Sequence, residues 1–210
     1  MKAGDALEQH LIQLKACKLC PLMIGPVLTH HPHSSLVVSK IYLCGQAPGP
    51  HEGRFAKPFA WTAGKTLFRW LQQAGVDEET FRSRAYIGAV CRCFPGKNVK
   101  GGDRVPSQEE IANCSQWMKR EFEILRPELL IPVGKLAIEQ FLPRQKLTDK
   151  VGTQIRKEVF GIKCDIIPLP HPSGVSTWFK GEPGATLLNN SLDLLKKHAV
   201  WNEVFPDSRA

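Results

Sequence analysis

At 210 residues the chain fits one domain with room for a proper core, and 42% hydrophobic with 23% charged residues is the balance of a soluble globular protein. No apolar run approaches membrane-spanning length, and residues 1–14 lack the basic start and apolar stretch of a secretory signal, so an intracellular protein with no membrane partner is expected. The net charge of +8 permits a polyanionic partner through counterion release, and a solvated basic surface would explain it equally well.

Residues 4–16 place Leu7, Leu11 and Leu14 on one face of a predicted helix, which Cys17-Lys18-Leu19-Cys20-Pro21 ends. A loop through His30, His31, Pro32 and His33 follows, then a strand over residues 36–44 and a Gly/Pro-rich loop. A helix covers residues 63–74 and stops at Gly75; residues 85–91 form the second strand. Residues 94–106 read as a long basic loop. Ser107-Gln108-Glu109-Glu110 is a capping-box pattern that starts a helix running to about residue 125. A strand at 129–133, a helix at 135–141, a strand at 166–169 and a helix at 186–198 complete the pattern. Short apolar strands alternating with helices predict an α/β fold, a three-layer α/β/α sandwich around a central parallel four-stranded sheet. Sites in such sheets form at the carboxyl ends of strands. Both unusual segments, from Gly45 and from Pro170-His171-Pro172-Ser173, fall at such ends.

Seven cysteines in a reducing compartment are not expected to pair as disulfides. Cys44 and Cys164 sit in apolar runs and read as core residues. The remaining five are Cys17, Cys20, Cys91, Cys93 and Cys114, and C-x-x-C beside a proline is seldom only packing. Four thiolates would suit zinc or iron–sulfur equally. Cys91 and Cys93 lie two apart on an extended segment and compete for one ligand position.

The stretch Gly45-Gln46-Ala47-Pro48-Gly49, followed by Lys57-Pro58-Phe59 and Ala63-Gly64, resembles the first motif of the iron–sulfur, family 4 uracil-DNA glycosylases. The resemblance continues at Arg92-Cys93-Phe94-Pro95-Gly96, at Glu109 to Cys114, from Arg126-Pro127 to Gly134 and at His171-Pro172-Ser173, in order and over nearly the whole chain. It implies a glycosylase that hydrolyses the bond between uracil and deoxyribose in DNA, leaving an abasic site, with a 4Fe–4S cluster on Cys17, Cys20, Cys93 and Cys114. The Arg-Cys-Phe-Pro-Gly context favours Cys93 over Cys91.

Such an enzyme extrudes the nucleotide and must stabilise a cationic sugar and a uracil anion. By resemblance His171 donates to uracil O2, and Phe59 stacks on the ring. Gly45, Ala47, Pro48, Gly49 and Ser173 complete the pocket. Two positions depart from the family: Gln46 stands where it has Glu, and Ala89 where it has the Asn that tells uracil from cytosine. Ala47 occupies the place of the acid in the most familiar uracil glycosylases. Glu52 is therefore expected to orient the attacking water, with His51 as its competitor and Gln46 also in the catalytic loop. DNA contacts are expected from Val175 as the apolar wedge, with Trp178 and Phe179 as alternatives. Lys180, Lys97, Lys100 and Arg104 are expected to contact phosphate. The expected partner is DNA, single- or double-stranded, bound by a monomer. A glycosylase for another deaminated base and a non-catalytic DNA-binding module on the same fold are the alternative readings.

Overall fold

Strands β1 (Ile41–Gly45), β2 (Tyr86–Ala89), β3 (Leu129–Pro132), β4 (Ile155–Val159) and β5 (Ile162–Ile166) form one sheet in the order β2-β1-β3-β5-β4. This is a computed structural model, and it describes residues 2–29, 36–99, 101–174 and 176–209. The segment His30 to Ser35, Lys100 and the expected wedge Val175 lie outside the described residues.

β1, β2, β3 and β5 run parallel, and β1 and β3 are buried along their whole length. Alternate residues face opposite layers. Ile41, Leu43, Ile87 and Ile131 pack with Leu67, Phe81, Leu188 and Trp201, whereas Tyr42, Cys44, Tyr86 and Leu130 pack with Leu7, Met118, Phe122 and Ile138. The first layer is α3 (Thr62–Gln73), α4 (Glu78–Arg84), α7 (Gly184–Lys197) and α8 (Ala199–Val204); the second is α1 (Ala3–Lys15), α5 (Gln108–Leu125) and α6 (Lys135–Phe141). The capping box at Ser107 and Glu110 forms as expected.

The sheet has five strands and is mixed, where four parallel strands were expected. β4 pairs antiparallel with β5 across a two-residue turn, Phe160-Gly161, both with positive φ. β4 is an edge strand whose centre, Arg156-Lys157-Glu158, is exposed, so it carries no apolar alternation to read. The last parallel strand accordingly begins at Ile162 rather than at residue 166, and its ladder continues as single contacts to Leu169. Along the chain β2 lies to one side of β1 and β3 to the other, so the strand order reverses at β1. The loops after β1, β3 and residue 169 meet at that reversal.

Candidate active site and cysteine cluster

A cavity of about 460 Å³ opens at the carboxyl ends of β1, β2 and β3. Its wall collects residues 45–49, His51, Glu52, Phe59, Ala89, Arg104, His171 and Ser173 among the expected site residues. Lys97, Trp178 and Lys180 are not part of it. Trp178 is half-buried against the α5 side of the core, and Phe179 packs edge-on against Trp70 at 4.9 Å. Lys97 and Lys180 are exposed. Arg104 holds Glu110 with two hydrogen bonds, at 2.8 and 2.7 Å, and donates from Nε to Pro95 O, so it braces the 94–106 loop.

The loop after β1 is fixed by a buried carboxylate. Glu52, in the helical turn α2 (Glu52–Phe55), accepts from Gly49 N at 2.6 Å and from Ala60 N at 3.1 Å. Burial pushes its carboxyl pKa up, against the pull of these backbone donors and of Phe59 N–H. Arg82, from α4, closes the same loop from the other side. It donates to Pro58 O at 2.9 Å and Phe59 O at 3.1 Å, pairs through Nε with Glu78, and lies 4.4 Å over the Phe68 ring. Phe59 is thereby held at φ 55°, a left-handed conformation that a phenylalanine rarely adopts. Its carbonyl comes so close to Gly64 that a Cβ there would lie 1.7 Å away, which requires the glycine. The Phe59 ring rests against Gly45 and walls the cavity.

His171 faces this ring wall from the loop beyond β5. Gly134, at φ 87°, makes room for it: a Cβ would lie 2.8 Å from His171 Cδ2. Ser173 N donates to His171 Nδ1 at 3.2 Å. A neutral ring accepting at Nδ1 carries its proton on Nε2, which is then the donor. Burial lowers the His171 pKa, with the Asp103 charge opposing, so the ring is neutral at pH 7.

Sequence reasoning missed Arg82, Asp103 and Trp61. Asp103 and Trp61 line the cavity, and Arg82 positions its wall. Trp61 is exposed at the mouth, its ring 4.6 Å from His51 and 6.1 Å from the exposed Phe55. None of the three sits in a motif, and each acts through tertiary contacts.

The four cysteines expected as ligands line one second, small cavity of about 30 Å³, with Leu14, Met23, Val27, Arg92 and Trp117. Cys17 and Cys20 follow α1, Cys93 follows β2, and Cys114 lies on α5. Cys91 is fully buried and lines the larger cavity instead, and its thiol, near Cys114, holds that group below its ordinary pKa. Burial and the neighbouring Cys114, Cys17 and Cys20 push Cys93 up to about 11. Among the described residues, no three His, Cys, Asp or Glu side chains are gathered to hold a metal ion as they stand. The donor set is nonetheless four thiols lining one mostly apolar pocket, where Asn113 Nδ2 approaches Cys20 Sγ at 3.8 Å. That is a soft, thiolate-only set, of the kind iron–sulfur groups use.

The profile of the Uracil DNA glycosylase superfamily matches residues 32–196. The chain belongs to that superfamily. It is 29% identical to the type-4 uracil-DNA glycosylase of Thermotoga maritima over 77% of this chain and 78% of that protein. Against the type-4 enzyme of Archaeoglobus fulgidus it is 26% identical over 81% and 83%. A type-5 uracil-DNA glycosylase of Pyrobaculum aerophilum is 31% identical over 47% of this chain and 46% of that protein. The superfamily match spans both walls of the larger cavity, from the loop after β1 to His171 and on through α7. No helix among the described residues is long and apolar enough to cross a membrane.

Proposed function

We propose that this superfamily member is a DNA repair enzyme that hydrolyses the N-glycosidic bond of deoxyuridine and leaves an abasic site. The observation that carries the proposal is His171: a neutral ring, its Nδ1 occupied by Ser173 N–H, with Nε2–H as its donor, in a cavity walled by the Phe59 ring. As the C1′–N1 bond breaks, its electron pair passes to uracil and charge builds on O2, where the Nε2–H donates. A neutral donor strengthens as that charge develops, without binding the ground state more tightly. Phe59 stacks on the base. Glu52, its carboxylate held by two backbone donors, orients water toward C1′, stabilises the cationic sugar and receives the water's proton. His51, beside it at the mouth, is the competing base.

The same proposal places a 4Fe–4S cluster on Cys17, Cys20, Cys93 and Cys114. When bound, it supplies a covalent tie between the end of α1, the segment after β2 and α5, and no step of the hydrolysis. DNA would run across the mouth as one enzyme monomer's substrate, over the exposed Trp61 and Phe55 and the basic residues Lys97 and Lys180, with Val175 as the wedge.

Incubation with a uracil-containing oligonucleotide followed by hot alkali tests the activity, since only excision leaves alkali-labile sites. Strand cleavage is expected, and a Glu52→Gln protein should lose it; normal cleavage by that variant removes Glu52 from the chemistry. Anaerobically purified protein should be brown with four irons per chain by this reading. A colourless, iron-free, zinc-bearing preparation refutes the cluster.

A further inference from the structure

Uracil presents an acceptor, O4, beside a donor, N3–H, on the edge away from the sugar. A pocket selective for it needs one donor and one acceptor side by side, and the cavity's polar side chains can be compared on that requirement. Glu52 and Asp103 only accept, and both Glu52 oxygens already bind backbone N–H. Arg92 and Arg104 only donate, and they are paired with Glu121 and Glu110. His171 is turned to Ser173 N through Nδ1. Ala89, half-buried in the wall, has neither group.

One carboxamide lines the cavity among the described residues, and it belongs to Gln46. Ala89 is the register partner of Gly45, so Gln46 leaves β1 one residue past the Ala89 position, and both residues line the cavity. Its backbone is fixed there, because Gln46 O accepts from Cys91 N at 3.0 Å and Gly45 O from Val90 N at 2.9 Å. The side chain is half-buried, and among the described residues its amide has no hydrogen-bond partner. A polar group left unbonded in a half-closed cavity is suited to a ligand that completes it.

We infer that the Gln46 carboxamide is the base reader, donating from Nε2 to uracil O4 and accepting N3–H at Oε1. Turned over, the same amide would meet the reversed edge of cytosine. Selection against cytosine then falls on leaving-group ability, since that ring has one fewer carbonyl to carry the anion. The inference rests on the glycosylase reading above, and its test separates the two.

Excision kinetics on uracil DNA and calorimetric titration with free uracil are compared for the wild type, Gln46→Ala and the nearly isosteric Gln46→Glu. Both variants should lose about 10- to 100-fold in kcat/KM and in affinity for free uracil, the effect of two neutral hydrogen bonds. The Glu variant loses because a carboxylate offers no donor to O4, although its shape and thermal midpoint stay close to wild type. Adding Ala89→Asn to Gln46→Ala should restore at least tenfold, by supplying the amide from the neighbouring strand. A Gln46→Glu enzyme that excises at the wild-type rate or faster overturns the inference, as does unchanged uracil affinity in Gln46→Ala. A wild-type protein that leaves uracil DNA uncut overturns the glycosylase reading itself.

Discussion

Around the larger cavity, buried charge is directed at backbone: Glu52 holds Gly49 and Ala60 N–H, and Arg82 holds the Pro58 and Phe59 carbonyls. Beside the cysteines, buried charge is directed at other side chains. Glu121, fully buried on α5, accepts from the Tyr42 and Tyr86 hydroxyls and from Arg92 Nη2, and contacts His10 Nε2 at 3.4 Å. Its carboxyl is held down to about 2 despite burial, chiefly by the Arg92 charge. That cluster ties α1, α5, β1 and the segment after β2 together, the same elements that present the cysteines. Arg92 borders both cavities and marks the seam. The difference teaches where each kind of failure should appear. A network centred on one buried carboxylate contributes stability and fixes the ligand arms, whereas carboxylates and cations bound to a loop fix a conformation and leave side chains such as His171 and Gln46 with unused capacity.

The sharpest way to break this division is Glu121→Gln, which leaves the Arg92 charge buried without its counterion. A loss of about 3–5 kcal/mol is expected for such a broken buried pair, seen as a thermal midpoint lower by roughly 10 °C, with kcat on uracil DNA near wild type at low temperature. If kcat falls while the midpoint holds, the network serves the chemistry and the two regions are not separable.

His171→Ala is the mirror experiment. Removing a donor to a developing oxyanion costs about 10²- to 10³-fold in kcat, and the half-exposed loop around it predicts little change in thermal midpoint. Arg82→Lys tests the boundary between the two behaviours, since a lysine cannot reach both carbonyls in the planar geometry of a guanidinium. Roughly 1–3 kcal/mol of stability should be lost, together with about tenfold in kcat/KM as Phe59 leaves its left-handed conformation. A stable Arg82→Lys protein with full activity would show that Gly64 and the chain around it hold Phe59 without the clamp.

Legibility in the sequence follows the same line. α5 was readable to its first residue because a capping box and an apolar stripe are local signals. α4 was not: its seven residues bury one aromatic, Phe81, and its only marker is the Asp77 cap. The β4–β5 hairpin was hidden by an exposed edge, and α8 by its six-residue length. Of the residues lining the cavity, 45–49, Phe59 and His171 stand in contiguous motifs that the sequence displays, and Glu52 is the nearest carboxylate after them. Arg82 was invisible because it binds carbonyls 23 and 24 residues away, a relation that residue type does not encode.

The smallest expected effect, and the one that most directly probes the neutral histidine, is on pH dependence. Burial places the His171 pKa below the ordinary 6.5 and the Glu52 pKa above the ordinary 4.5. Both groups act in the forms that predominate at high pH, the neutral ring and the carboxylate. Activity is therefore lost as pH falls through the two folded-state values, each protonation removing one function. For His171 the stability sign agrees: its pKa is lower folded than unfolded, so the buried neutral ring contributes stability above about 6.5 that is lost as pH falls through the folded value. In whatever activity Glu52→Gln retains, the Glu52 limb is gone and the His171 limb of kcat/KM should centre below pH 6.5. A limb centred above that value would mean a ring stabilised as the cation, with Asp103 outweighing burial, and His171 would then act on the uracil anion as a charge rather than as a neutral donor.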